Sequence, residues 1–166
     1  MIMLAATILS CSNDDDHNSA APVFVANPDN CSEAPELIVG ADFSEHAVIV
    51  DNTNATDSEV DAPGCGGYSG GDLWYKVVVP ASGNLTIETD LDDNAEGMVY
   101  DTVLAVYGGN CDSLTELGCQ DDIGNGNYFS KLTLTDFTPG EILYVRAYVY
   151  NNDVLGTFKL SAYDSN

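Results

Sequence analysis

The sequence predicts an all-β protein, a single jelly-roll-like antiparallel β-sandwich with two disulfides. Three observations carry that expectation. Apolar and β-branched runs of strand length recur between Gly, Pro and Asn turns. No stretch shows a sustained helical period. Of the five cysteines, setting aside Cys11 leaves four, the even count of a disulfide framework in an oxidising compartment.

The predicted strands follow in order. Glu36 to Gly40 is an apolar run closed by glycine, and His46 to Asp51 centres on the β-branched Val48-Ile49-Val50. Leu73 to Val79 carries Trp74 and Tyr75 and stops at the turn Pro80-Ala81-Ser82-Gly83. In Asn84 to Thr89, Leu85 and Ile87 alternate with Thr86 and Glu88, the pattern of a half-buried antiparallel strand. Thr102 to Tyr107 and Leu114 to Cys119 are the next two runs. Ser130 to Thr135 alternates again, with Leu132 and Leu134 against Lys131, Thr133 and Thr135. After the turn Thr138-Pro139-Gly140, Ile142 to Tyr150 sets Leu143, Val145, Ala147 and Val149 on one parity; Gly156 to Tyr163 is last. Short strands with tight turns and no helices make a sandwich or jelly roll.

The chain divides into residues 1–10, a tether at 11–28 and a sandwich domain at 29–166. Ile8-Leu9-Ser10-Cys11 ends an apolar stretch and resembles a bacterial lipobox. That resemblance implies cleavage before Cys11 and acylation of its sulfur and amino group, so that residues 1–10 are a signal peptide. Met1-Ile2-Met3 lacks the basic n-region of such a signal, which places the true start upstream. Ser12, Asn13, Asp14, Asp15 and Asp16 resemble the acidic signal that sends some Gram-negative lipoproteins to the outer face of the outer membrane. Acyl chains contribute ~0.8 kcal/mol per buried methylene, enough for two or three to anchor a domain without a spanning helix. Residues 12–28 have no sustained period and read as a flexible tether.

Asp and Glu number 27 against four Lys and Arg, a formal net charge of −23 in 166 residues. Nucleic acid is excluded as a partner, because phosphate contacts need clustered cations. No run reaches the roughly 18 apolar residues of a membrane-spanning helix, leaving the lipid as the only membrane contact.

The ordered series Asp29-Asn30-Cys31, Cys65-Gly66-Gly67, Gly71-Asp72-Leu73-Trp74-Tyr75, Asp101 to Tyr107, Cys119-Gln120-Asp121-Asp122 and Pro139-Gly140 through Tyr144-Val145-Arg146 resembles the bacterial pre-peptidase C-terminal domains. These are related to the collagen-binding modules of secreted collagenases. The resemblance spans roughly residues 29–163 and implies an accessory, non-catalytic jelly-roll sandwich. Four cysteines allow three connectivities, among which the sequence does not choose. The short spacing of Cys111 and Cys119, together with the resemblance, favours Cys111–Cys119 and leaves Cys31 to pair with Cys65. Zinc is the competing use of these thiols, but the close Cys pairs and neighbouring His of zinc sites are missing.

Catalytic motifs are sparse. Gly67-Tyr68-Ser69-Gly70-Gly71 matches the serine-hydrolase elbow G-x-S-x-G in letters, yet it runs into a strand where the elbow needs a helix. His46 is the one base inside the domain, and a carboxylate pair in so acidic a chain carries no signal without distances. The domain is expected not to be an enzyme.

Two candidate binding regions remain. Gln120 to Asn127 offers carboxylate and amide oxygens in a glycine-containing loop, so Asp121, Asp122 and Asn125, with Asp101, form a candidate calcium site. Turns that use Asp and Asn for local hydrogen bonds explain the same residues equally well, and Asp90, Asp92 and Asp93 form a second acidic loop. Tyr144, Arg146 and Tyr148 share one parity of a strand. With the aliphatic parity inside, they make an exposed aromatic and cationic stripe suited to ligand binding, whereas Trp74 is assigned to the core. The sequence thus predicts a surface lipoprotein whose sandwich binds an extracellular protein or glycan, with a self-assembling structural subunit or a secreted hydrolase as the alternatives.

Overall fold

The computed structural model describes residues 28–95, 99–164 and 166. Cys11 and the acidic run at 12–16 lie outside them. Among the described residues the ten strands are β1 (Glu36–Leu37), β2 (Val39–Gly40), β3 (Val48–Asp51), β4 (Leu73–Val78), β5 (Leu85–Leu91), β6 (Thr102–Asn110), β7 (Ser113–Gln120), β8 (Lys131–Leu134), β9 (Ile142–Val149) and β10 (Thr157–Tyr163). They form two sheets, ordered β1-β4-β9-β6-β7 and β2-β10-β5-β8, with β3 also paired to β10. This is the predicted β-sandwich. Among the described residues no helix is long and apolar enough to cross a membrane.

One predicted strand becomes two. The run 36–40 breaks at exposed Ile38: Leu37 pairs with Val77 of the first sheet, and Val39 with Ala162 of the second, both in parallel. The fold is therefore not wholly antiparallel. A short edge segment that changes sheets at a kink closes the sandwich along one side, which alternation alone does not reveal.

The core lies between the sheets. Leu73, Tyr75 and Val77 of β4, Leu104 and Val106 of β6, and Leu143, Val145 and Ala147 of β9 face Leu85, Ile87, Phe158, Leu160 and Ala162. The aliphatic parity of β9 points inward, as expected. Its other parity is not open to solvent, because the chain from 52 to 72 folds across the outer face of the first sheet.

A buried ion pair holds that cover. Arg146 and Asp72 are both fully buried, and Arg146 Nε donates to Asp72 Oδ2 at 2.8 Å. The same oxygen accepts from Trp74 Nε1 at 2.7 Å and from Ser58 Oγ at 2.6 Å. Arg146 Nη1 donates to the Asp61 carbonyl at 2.8 Å and Nη2 to the Val60 carbonyl at 3.2 Å. The Tyr68 ring lies 4.3 Å from the guanidinium carbon, as a cation–π partner. Its hydroxyl is 2.8 Å from both Asp72 Oδ1 and Asp57 Oδ1, so its one proton serves one of them. Burial and those two carboxylates push the Tyr68 phenol well above its ordinary range.

The disulfides are Cys31–Cys111 and Cys65–Cys119, which corrects the expected pairing. Cys111 sits in the β6–β7 turn and Cys119 near the far end of β7. Eight residues of extended chain separate their Cα atoms by ~25 Å, whereas the Cys65–Cys119 bridge needs 5.7 Å. Each cysteine bonds across elements instead. Cys65–Cys119 fastens the cover to β7, and Cys31–Cys111 fastens the start of the domain to the hairpin turn.

Replacing Arg146 with Met leaves the Asp72 carboxylate buried without a counter-charge. Urea unfolding is expected to show a loss of about 3–5 kcal/mol, of which Asp72→Asn in the same chain restores a part. A loss below about 1 kcal/mol for Arg146→Met would show that the cover stands without the pair.

Candidate functional site

Strand pairing decides which acidic residues meet. β6 and β7 form an antiparallel hairpin in which Leu104 faces Gln120, so the chain entering β6 lies beside the chain leaving β7. Asp101 and Asp121 occupy those two positions. The Asp101 carbonyl accepts from Tyr150 N at 3.2 Å, and Thr102 N donates to the Tyr128 carbonyl at 3.0 Å. Buried Ser130 fixes the returning loop, with its Oγ within hydrogen-bond distance of the carbonyls of Thr102 and Asp121. Its amide donates to Thr89 Oγ1 at 2.9 Å, which lies 2.6 Å from Thr102 Oγ1.

On this frame one carboxylate oxygen each of Asp101, Asp121 and Asp122 lies within 4.8 Å of the others. Oδ1 of Asp101 and Oδ1 of Asp121 are shut away from solvent without a hydrogen-bond donor among the described residues. Burial pushes the Asp101 carboxyl up to about 6, and the like charges of Asp121, Asp122 and Asp153 add to the effect. Asp121 is also raised, first by burial and then by Asp122. Three converging carboxylates, two of them with an orphaned oxygen, fit a hard divalent cation, whose preferred ligands are oxygens. Calcium suits this donor set better than zinc, which prefers nitrogen and sulfur.

The remaining expected residues have other positions. Asn125 and Gly126 are the central pair of a tight turn, closed by Gly124 N to the Asn127 carbonyl and by the reverse bond. Their φ values of 57° and 83° are those of a hairpin turn that favours Asn-Gly. Asp92 is buried and accepts from Thr157 Oγ1 at 2.6 Å, and Asp93 pairs with Lys159 at 2.7 Å, so the second acidic loop is engaged in its own structure. Ser69 lies in the cover, where its carbonyl accepts from Asn152 Nδ2 at 2.9 Å, and His46 sits 3.9 Å from Glu45.

The stripe of Tyr144, Arg146 and Tyr148 needs correction. Arg146 and Tyr148 are fully buried beneath the cover, and Tyr144 is half-buried. Tyr148 donates to the Cys65 carbonyl at 3.1 Å. Trp74 is fully buried as expected, but in a second cluster beneath the cover with Ala105 and Tyr107 and not between the sheets, where Leu73 and Tyr75 of the same strand lie. Sequence reasoning missed Asp153, which acts on Asp101 across a small cleft of about 70 Å³ lined also by Tyr100. It also missed Asp72 as the partner of Arg146. Spacing gives no sign of either, since both depend on long-range packing.

The sequence matches no family model. No curated protein matches it either. Among solved structures, it is similar to the pre-peptidase C-terminal domain of collagenase from Bacillus anthracis, at 15% identity and a TM-score of 0.47, covering 78% of this chain and 94% of that one.

The raised Asp101 carboxyl has a pH signature in the presence of chelator. The folded form holds this proton more tightly than the unfolded chain, so the group favours folding below pH ~4 and loses that contribution as pH rises through about 6. Asp101→Asn is therefore expected to melt higher than the unaltered protein at pH 7, with the gap closing towards pH 4. A gap independent of pH, or of opposite sign at pH 7, would contradict the assignment.

Proposed function

We propose that the protein is a non-catalytic binding module displayed outside the cell. It is anchored to the outer membrane through lipid on Cys11, takes up calcium at Asp101, Asp121 and Asp122, and binds an extracellular protein or glycan. The observation that carries this reading is the pair of orphaned carboxylate oxygens at the loop end of a disulfide-bonded sandwich. Unpaired buried oxygens of one charge are costly in water alone, and a divalent cation satisfies them together. The two disulfides support an oxidising compartment. The lipobox-like segment and the acidic run beside it support display at the cell surface. Calcium also offsets part of the self-repulsion of a chain with net charge −23. Its part is stabilising and orienting: it holds the loop from Asp121 to Asn127 against the start of β6.

Two measurements test these statements separately. A cation bound only by the folded state adds about 2.7 kcal/mol at a hundredfold excess over its dissociation constant. The melting temperature is therefore expected to rise in calcium over chelator and over sodium at matched ionic strength, with Asp122→Ala shrinking the rise. Equal midpoints in all three solutions would remove the calcium site.

Fractionation and array binding address display and partner. Cys11→Ala is expected to move the protein from the membrane fraction to the soluble one, and the unaltered protein to bind a member of a glycan and extracellular-matrix array. Retention of Cys11→Ala in the membrane, or a blank array, would overturn the corresponding part of the reading.

A further inference from the structure

The tight turn between β7 and β8 carries the one Asn-Gly pair in the sequence, Asn125-Gly126. Both residues are exposed. Gly124 N donates to the Asn127 carbonyl at 3.2 Å and Asn127 N to the Gly124 carbonyl at 3.1 Å, so the turn is closed on either side of the pair. The peptide unit between Asn125 and Gly126 takes no part in that closure. Among the described residues the Gly126 amide, the Asn125 carbonyl and the Asn125 side chain have no hydrogen-bond partner. A Cβ added to Gly126 would meet nothing within 4 Å.

Several other asparagines are held. Asn127 Oδ1 accepts from Phe129 N at 3.0 Å, Asn110 Oδ1 from Asp112 N at 3.1 Å and Asn52 Oδ1 from Gly156 N at 2.9 Å. Asn54 is exposed, but the amide that follows it, Ala55 N, donates to the Asn52 carbonyl at 3.1 Å.

The turn also has a second form within reach. Positive φ at both central residues, 57° and 83°, is the type I′ arrangement. Rotating the unbonded central peptide unit converts it to type II′, in which ψ of the first central residue is about −120° and φ of the second changes sign. Glycine at the second position accepts either sign, and the flanking hydrogen bonds survive the change. Asparagine is less favoured than glycine at the first position of type II′, so the flipped form is the minor one. In it the Gly126 nitrogen approaches the side-chain carbonyl carbon of Asn125, a near-attack arrangement for closing a cyclic imide.

We propose that Asn125 is a site of spontaneous covalent modification, converted through a cyclic imide to isoaspartate and aspartate. The Gly126 amide gives up its proton to solvent base, and its nitrogen bonds to Cγ of Asn125. The bond from Cγ to Nδ2 breaks and ammonia leaves. Water then opens the ring. Opening at Cγ restores the chain with aspartate at this position, whereas opening at the main-chain carbonyl routes the backbone through Cγ and leaves isoaspartate. One water is consumed and one ammonia released, with no oxidant or cofactor. Either product adds a carboxylate to the loop 121–127. Isoaspartate also lengthens the turn by one backbone atom, which spoils the match between Gly124 and Asn127. The inference stands apart from the calcium site and from the reading of the domain as a binding module.

The test incubates the full chain, folded and in chelator, at mildly alkaline pH and follows each asparagine by peptide mass mapping. Resistance of the product to cleavage by endoproteinase Asp-N separates isoaspartate from aspartate. Asn125 is expected to convert at least about tenfold faster than Asn54 and Asn127, a barrier lower by ~1.4 kcal/mol. Its rate is expected to rise with pH, because the attacking nitrogen must lose its proton. Gly126→Asp is expected to slow Asn125 about tenfold, since Asp tolerates the positive φ of this turn while its Cβ crowds the attacking nitrogen. The isoaspartate fraction is expected to lose hydrogen-exchange protection at the Asn127 amide, which closes the turn.

The proposal falls if Asn125 keeps its amide, if Asn54 or Asn127 converts as fast, or if Gly126→Asp leaves the rate unchanged. A folded rate more than about a hundredfold below the rate of the same chain in urea would also overturn it, by showing that the turn locks its central peptide unit. If Gly126→Asp fails to fold, the comparison among the three asparagines of the unaltered protein and the comparison with urea decide.

Discussion

The contact between Asp72 and Arg146 is the constraint on which the rest of the first sheet depends. Burying two opposite charges takes both out of water, and their attraction offsets that cost only when every remaining donor and acceptor is used. Here Ser58, Tyr68 and Trp74 surround the carboxylate, and the carbonyls of Val60 and Asp61 take the rest of the guanidinium. Two of those partners flank the stretch of cover that passes over β9. The pair therefore acts at a distance: it turns a polar strand face into an interior and draws Cys65 within bonding range of Cys119.

Carboxylates play opposite parts in this molecule according to their surroundings. Asp72 is as buried as a core leucine, and donors and a cation surround it. Asp101 and Asp121 are only partly buried, but what surrounds them is other carboxylates, and burial raises their affinity for protons. Asp42 and Asp57, at the surface, show the third case. Hydrogen bonds from Ser44, and from Glu59 and Tyr68, hold them below the usual carboxylate range. A net charge of −23 thus describes several environments with different consequences. In one the charge organises the fold, in another it sits in a turn, and at the end of the β6–β7 hairpin it raises the affinity for protons.

The strands were legible in the sequence because alternation and turn residues are local signals, and Leu85, Ile87, Leu132 and Leu134 behave as their spacing requires. The inward set of β9 was legible for the same reason. What local pattern does not carry is the fate of the opposite face. Arg146 and Tyr148 look like surface residues until the segment 52–72 is known to cover them, and a segment without strand periodicity gives no hint of where it packs. The disulfides failed on the same ground, since sequence proximity of Cys111 and Cys119 suggests closeness while an extended strand keeps them apart. Asp101 and Asp121 lie close together because the residues between them form a hairpin, which restores the link between sequence order and spatial order.

That link also explains why the candidate site lies where it does. The acidic cluster lies at the open end of the β6–β7 hairpin. The hairpin lies at the edge of its sheet, so one side is free of strand partners, yet Cys31–Cys111 and Cys65–Cys119 fasten it at both ends. An edge element so fastened can present acidic side chains in fixed positions without the exposed pairing surface of a loose strand being free to move. Such fixity matters for charged recognition, because ordering long side chains and loops on binding costs free energy that a pre-set geometry has already met in folding. The disulfides are then as much part of the presentation of these carboxylates as of the stability of the sandwich.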